Sequence, residues 1–473
     1  MSWEMVCGLE THVELSTQTK IFCSCRVRFG GEPNTNCCPI CVGHPGTLPK
    51  LNREVVRYAI MAGLVMNCEI RGDARMDRKN YVYPDLPKAY QISQYDKPLC
   101  EHGHVTLSSG REIGITRIHI EEDAGKLVHQ GGNTFVDYNR GGVPLIEIVT
   151  EPDFRSASEI REYLEQLQLL MKSIGISDCK MQEGSLRCDV NLSVRPAGSK
   201  KLGTRAEIKN MNSFSFIEKA VDYEFHRQID LIESGEKVVQ ETRRYNDGDN
   251  TTESMRSKED AHDYRYFREP DLVAIVTTRE EVEAIRALLP ELPDTKLARY
   301  ISSFGLSDAD ARLLVRYPKI CEYFEAAARG LKNPKAVSNF ILGQIFRTLE
   351  TEEDKEAARI SVSAEHLREL CSMMEAQGLR LNLAKAALDK MLETGEPAAR
   401  FITKEDLEGV DEDALLAICR AAVEANPKVV SDYLGGKEKA VKSLIGQVMR
   451  ETRGKADAVL AEELLIRCMR EKA

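Results

Sequence analysis

The hydrophobic period of this chain changes once, near Pro290 and Pro293. Before that point apolar and polar residues alternate. Met5, Cys7, Leu9, Thr11 and Val13 interleave with Val6, Gly8, Glu10, His12 and Glu14. Leu186, Cys188, Val190, Leu192 and Val194 interleave with Arg187, Asp189, Asn191, Ser193 and Arg195. Strict alternation buries one face of a strand and wets the other, the habit of antiparallel sheets. Residues 113–120 and 203–209 read as further strands, with helical patterns at 53–66, 156–174 and 215–234. Gly235 supplies a C-cap for the last of these. Beyond Pro293 the alternation stops, and 295–304, 307–317, 334–349, 363–377 and 383–394 read as amphipathic helices. Asn426-Pro427 opens a last segment with room for two or three more, one of them over 437–452. The pattern predicts an α+β chain: a sheet domain at 1–292, an all-α domain at 293–426 and a small helical tail at 427–473.

Composition narrows the function classes. A chain of 473 residues exceeds one typical domain. With 42% hydrophobic and 30% charged residues it is neither fibrous nor disordered. No apolar run approaches the roughly 18 residues of a membrane span. The first ten residues have neither the basic-then-apolar pattern of a signal peptide nor that of a transit peptide, so a cytoplasmic location is expected. A net charge of −10 argues against gripping nucleic acid over the whole surface. The tail from Pro427 onward is different, because its basic residues exceed its acidic ones.

The chain has 14 cysteines, and in a cytosolic setting they point to metal or free thiols rather than disulfides. Cys23-Ser24-Cys25 and Cys38-Pro39-Ile40-Cys41 are close pairs whose thiolates can close a tetrahedral zinc site. Such a site keeps no open position, so it would be structural and would fasten a loop rich in Gly, Pro and Asn. Cys37 is an alternative to Cys38.

Carboxylates on strands form a second constellation. Glu10 and His12 share one strand face, about 7 Å apart. Asp189 and Glu207 lie on polar faces of other strands, and Glu121 and Glu122 end another. Consecutive residues face opposite ways, so both of the last two serve one site only where the strand bends. Oxygen ligands with an imidazole suit Mg²⁺ or Mn²⁺ holding phosphates. Wet sheet faces also carry charges with no chemical task, so spacing alone leaves both readings open. From Thr242 to Phe267, basic and aromatic residues interleave as they do where nucleotides are contacted, though acidic residues interleave too. In the tail, Lys437, Lys439, Lys442, Arg450, Arg453 and Lys455 offer a basic face for a nucleic-acid backbone or simply for solvent. No P-loop, dinucleotide fingerprint or G-x-S-x-G elbow is present.

Several longer motifs carry a resemblance. They are Gly8-Leu9-Glu10-Thr11-His12-Val13-Glu14-Leu15, the run from Tyr81 to Gln94, His119-Ile120-Glu121-Glu122-Asp123-Ala124-Gly125-Lys126, and Asp137-Tyr138-Asn139-Arg140-Gly141-Gly142-Val143-Pro144-Leu145. Met255 to Phe267 and Gly435-Gly436-Lys437-Glu438-Lys439-Ala440 continue it. From its first ten residues to its last fifty, the chain resembles the B subunits of aspartyl/glutamyl-tRNA amidotransferases. The resemblance implies a cradle on the antiparallel sheet, a helical domain and a tRNA-holding tail. It implies a heterotrimer with a glutaminase A subunit and a C subunit, acting on mischarged tRNA(Gln) or tRNA(Asn). Its activity would be that of a carbon–nitrogen ligase with glutamine as amido donor. ATP would phosphorylate the side-chain carboxylate of the tRNA-bound Glu or Asp, and ammonia would displace the phosphate.

By the same resemblance, Glu10, His12, Glu122 and Glu207 are the catalytic Mg²⁺ ligands. Glu121 and Asp189 belong to a second cation site, and Cys23, Cys25, Cys38 and Cys41 bind structural Zn²⁺. Lys437, Lys439 and Lys442 contact tRNA. Cys37, His44 and Arg268 depart from the family pattern. The rival expectations are a non-catalytic zinc-containing tRNA-binding scaffold and a metal-dependent phosphohydrolase.

Overall fold

The computed structural model describes residues 2–257, 263–407, 411–452 and 456–471. The chain divides into two compact units, Met1–Leu292 and Pro293–Ala473.

The first unit is organised by a nine-stranded sheet. Its strands in chain order are β1 (Trp3–Glu14), β2 (Glu69–Ile70), β3 (Cys100–Thr106), β4 (Glu112–Glu122) and β5 (Pro144–Thr150). They continue with β6 (Leu186–Pro196), β7 (Ala206–Lys209), β8 (Glu241–Asn246) and β9 (Thr251–Ser257). The spatial order is β9-β8-β7-β6-β1-β5-β4-β3-β2, so the first strand is central. The pairs β1–β5, β1–β6, β4–β5, β6–β7 and β3–β4 are antiparallel, as the alternation predicts. One pair corrects the expectation: β7 and β8 run parallel, so the sheet is mixed. The cause is the long helix between them, since a parallel partner needs a crossover.

Three helices pack with the buried sheet face: α1 (Arg53–Val65), α2 (Ala157–Ser173) and α3 (Phe214–Glu233). Each begins at a capping side chain. Asn52 accepts from Glu54 N, Ser156 from Glu159 N, and Ser213 from Phe216 N. Losing one such cap costs about 1 kcal/mol. Met5, Cys7, Leu9 and Val13 are buried on the covered face with Phe154, Tyr163 and Leu167. Residues of the other parity, Glu10, His12 and Glu14, are only half-buried. Packing on one side thus fixes which side chains remain for chemistry on the other.

A small three-stranded sheet joins Asp77–Asn80 to Tyr90–Ser93 and to Phe267–Arg268. Fully buried Glu269 anchors it, accepting from Arg78 Nε at 2.7 Å and Nη2 at 2.8 Å. Arg268 is exposed, and its backbone pairs with Asp77.

Among its described residues the second unit forms helices joined by loops and no strand. A helix over Pro318–Ala328, with proline at its first turn, was not legible in the pattern. The segment expected as one helix at 334–349 is Pro334–Phe340, a π turn at Ile341–Ile345, and Phe346–Thr348. Near the end, Leu415, Cys419 and Val423 share a core with Leu444, Val448, Leu464 and Leu465. The helix Glu412–Ala425 therefore packs with the tail helices, upstream of Asn426. The helix expected over 437–452 is a 3₁₀ turn, Glu438–Ala440, followed by Val441–Glu451. No described helix is long and apolar enough to cross a membrane.

Candidate functional site

Strand register assembles a site that chain order scatters. Opposed residues in antiparallel strands share a face. Glu10 pairs with Asp189 on one side and Val149 on the other, and Val149 pairs with Arg117. One step along, His12 lies between Arg187 and Glu147, and Glu147 pairs with His119. Asn191 pairs with Glu207, and Glu207 with Thr242. Apart from Val149 and Arg187, the residues of these rows form the floor of a cavity of about 360 Å³. Its walls carry Lys79, Arg117, Arg205 and Lys209, with Tyr95, Tyr264 and Tyr266. The small sheet and its Glu269 anchor bring the tyrosines there, and Tyr95 and Tyr266 stack at 4.3 Å.

Two groups of ligand-capable side chains lie at this floor, all but Glu121 lining the cavity, and in each the donor atoms are within 4.8 Å of one another. The first is Glu10, Asp189 and Glu207. Asn191 Nδ2 donates to Glu10 Oε1 at 3.0 Å, and Thr242 Oγ1 donates to Glu207 Oε2 at 2.8 Å. Burial raises the Glu10 pKa, and the carboxylates of Glu147, Asp189 and Glu207 add to it. The second group is His12, Glu121 and Glu147. His12 Nε2 is 3.4 Å from Glu121 Oε1 and 3.9 Å from Glu147 Oε2. Buried His119 reaches the same acids, with Nε2 2.9 Å from Glu147 Oε2. Burial disfavours its charge, but Glu147 and Glu121 outweigh that and hold its pKa up at about 9. Glu147 is shifted the other way: burial opposes ionisation, and the imidazole of His119 more than offsets it.

Glu147, His119 and Lys209 were not among the site residues expected from the sequence, and Thr242 was expected only as the first residue of the basic-aromatic stretch. The signal was available for Glu147, because Leu145-Ile146-Glu147-Ile148 alternates as the other strands do. Its pairing with His12 was not, since register is a property of the fold.

Glu122 stands apart from both groups. It follows the parity of Ile118 and Ile120, so it leaves the sheet on the side opposite Glu121. There Lys88 Nζ and the backbone N of Ile92 both donate to Glu122 Oε1. No bend redirects it at the strand end. Glu14 also lies beyond the two groups. Burial and the adjacent carboxylate of Asp123 push its pKa up to about 8.

Cys23, Cys25, Cys38 and Cys41 gather with their sulfurs within 4.8 Å. Cys37 turns away and lies 3.7 Å from Asn139 Oδ1. His44 is outside the group and lines a neighbouring cavity. Hydrogen bonding from Cys23 lowers the Cys41 pKa to about 4 against the cost of burial. Lys20, fully buried, places its ammonium 3.7 Å from Cys41 Sγ and donates to Asn36 O at 3.0 Å and Tyr138 O at 3.2 Å. A buried ammonium is costly without such partners. A tetrathiolate with a cation beside it is a closed donor set that fits zinc.

In the second unit Lys437, Lys439 and Lys442 are exposed, and Lys437 pairs with Asp432 at 3.0 Å. Lys258 to His262, from the basic-aromatic stretch, and Arg453 and Lys455 lie outside the described residues.

A family profile described as the GatB/GatE catalytic domain matches residues 5–283, and one described as the GatB domain matches residues 322–469. The chain is 50% identical to the B subunit of the aspartyl/glutamyl-tRNA(Asn/Gln) amidotransferase of Caldanaerobacter subterraneus subsp. tengcongensis, over 98% of this chain and 99% of that protein. It is 51% identical to the protein of the same name in Caldicellulosiruptor saccharolyticus and 48% identical to the one in Clostridium kluyveri, each over 98% of both chains.

Proposed function

The chain belongs to the GatB/GatE family, and from that premise we propose that it is the subunit that activates and amidates the misacylated residue in a glutamine-dependent tRNA amidotransferase. The observation that carries this reading is the cavity floor: two carboxylate-rich groups under a rim of lysine and arginine. Carboxylate oxygens with one imidazole fit Mg²⁺ or Mn²⁺. Such a cation, when bound, neutralises phosphate charge during transfer.

The protein's own residues do the rest. Asn191 holds Glu10, Thr242 holds Glu207 and Lys209 holds Asp189, which makes the three carboxylates an acceptor-only array. His12, Glu121 and Glu147 form the second array beside it, braced by His119. Lys79, Arg117 and Arg205 face the same space and supply positive charge for the phosphates of ATP. In the proposed reaction, the tRNA-bound side-chain carboxylate attacks the γ-phosphorus and ADP leaves. Ammonia nitrogen then attacks the acyl carbon, the C–O bond to phosphate breaks, and the nitrogen loses a proton. A free carboxylate would have to expel oxide, whereas the acyl phosphate expels phosphate. No covalent enzyme nucleophile is required.

Glu122 is not among the cation ligands in this reading. Its place is to fix Lys88 and Ile92 behind the sheet. The thiolate cluster holds structural Zn²⁺, and the exposed tail lysines meet the tRNA backbone. The ammonia comes from a glutaminase A subunit, with a C subunit completing a cytoplasmic heterotrimer, and the substrate is mischarged tRNA(Gln) or tRNA(Asn).

The test uses the assembled complex with its glutaminase inactivated, given ATP, Glu-tRNA(Gln) and hydroxylamine but no ammonia. Trapping of the side-chain hydroxamate on tRNA, together with ADP release, supports activation in this cavity when Glu10→Gln abolishes both. Hydroxamate formation at the wild-type rate in Glu10→Gln would move the chemistry elsewhere and leave this chain as a scaffold.

A further inference from the structure

Lys209 occupies an unusual place in the acidic array. Its Nζ lies 2.5 Å from Asp189 Oδ2 and 3.0 Å from Glu207 Oε1. Those are the distances of tight ion pairs, and the side chain is only 31% exposed. The ammonium therefore stands between two of the three carboxylates able to share a cation.

Two of the three carboxylates have a side-chain partner besides Lys209. Asn191 holds Glu10 and Thr242 holds Glu207 from their far sides. Removing the ammonium would leave Glu10 and Glu207 held, Asp189 placed by its strand pairing with Glu10, and the array more negative. A divalent cation bound to both Asp189 and Glu207 must lie within about 2.6 Å of their oxygens. Two cations cannot share that volume. The lysine, on a flexible four-carbon stem, is the one able to leave. Lys209 also lines the cavity that Lys79, Arg117 and Arg205 line, so a released ammonium has open space in front of it.

We propose that Lys209 is a resident counter-ion of the Glu10–Asp189–Glu207 array, exchanged for a divalent cation on loading, and that its released ammonium then pairs with the phosphate oxygens of the nucleotide. The proposal rests on the cation-assisted phosphoryl-transfer reading above. Before loading the ammonium offsets part of the array's negative charge, and only after loading does it add a positive charge to the phosphates. Lys209 then opposes cation binding while assisting turnover, two effects of opposite sign from one side chain. A lysine that only braces the sheet would not separate them.

The experiment titrates Mn²⁺ into the full, zinc-loaded chain without nucleotide, following free Mn²⁺ by electron paramagnetic resonance. Wild type is compared with Lys209→Met, Lys209→Gln and Lys209→Arg, with Glu10→Gln as the site control. The two neutral variants are expected to bind Mn²⁺ about tenfold more tightly than wild type. Lys209→Arg, which keeps the charge, should stay within about threefold of wild type. In the assembled complex, both neutral variants should lose ATP turnover about 10²-fold at saturating cation. Unchanged or weaker Mn²⁺ binding in both neutral variants, with wild type binding and Glu10→Gln not, would overturn the exchange and leave the cation site intact. Mn²⁺ binding absent from wild type and every variant would overturn the cation reading and the exchange together. Tightened binding with wild-type turnover would overturn the second half, the pairing with phosphate.

Discussion

The thiolate cluster and the carboxylate floor are both groups of ligand-capable side chains in the sheet unit, but they are built in opposite ways. Cys23, Cys25, Cys38 and Cys41 come from one short loop. Glu10, Asp189 and Glu207 come from three strands, and His12, Glu121 and Glu147 also from three. The loop brings its ligands together by proximity in sequence, and metal binding would stabilise that loop directly. The floor brings its ligands together by strand register, so its geometry is inherited from the core beneath it. Losing a ligand should therefore unmake the local structure at the loop and only the chemistry on the floor.

Outside the Glu10–Asp189–Glu207 array, the largest effect that would sharpen this contrast is at Glu147. Replacing it with Gln keeps the strand but removes the charge between His12 and His119. ATP turnover in the assembled complex should fall about 10²-fold or more while tRNA binding is retained. Parallel loss of tRNA affinity and melting temperature would break the contrast.

Removing zinc is expected to act in the reverse sense. Chelation under reducing conditions should remove hydrogen-exchange protection from residues 20–47 and leave β1, β5 and β6 protected. Exchange spreading through those strands would mean that the loop supports the sheet.

A smaller effect concerns Glu14. Its pKa is raised from an ordinary 4.5 to about 8, because burial and Asp123 favour the neutral form. A raised carboxyl pKa contributes stability that is present below about 4.5 and lost as pH rises through about 8. The melting temperature of the sheet unit should drift down across that window, and Glu14→Gln should flatten the drift. An unchanged slope in the variant would assign it to another group.

The smallest effect is expected in the tail. Lys439→Ala or Lys442→Ala alone should weaken tRNA binding only a few-fold, more at low salt than at high, with no change in turnover at saturating tRNA. Lys437→Ala should do less still, since Asp432 already pairs with that lysine. A loss of turnover at saturating tRNA would tie the tail to the chemistry.

The same contrast explains what was legible in the sequence. The change of period placed the sheet and the helical region, because period follows directly from which side chains are buried. The parallel β7–β8 pair was not legible, since alternation does not record strand direction. The cysteines could be grouped by spacing, although only the fold turns Cys37 toward Asn139. On the floor, parity placed Glu10 and His12 on one face and Asp189 and Glu207 on the polar faces of other strands, and the resemblance added their roles. Parity also warned that Glu121 and Glu122 diverge, and in the structure they do. Glu147 and His119 required the register of β1, β5 and β4, which is set by the packing of the whole sheet.

Glu122 and Glu207 therefore offer the most direct measurement. ADP release with Glu-tRNA(Gln) and ammonium would be compared in complexes carrying Glu207→Gln or Glu122→Gln. Glu207→Gln should abolish turnover with little change in melting temperature. Glu122→Gln, which breaks the contact with Lys88 behind the sheet, should lower the melting temperature and cost less than about tenfold in turnover. Abolished turnover in Glu122→Gln, with the fold intact and Glu207→Gln active, would contradict the account and place the chemistry on the other side of the sheet.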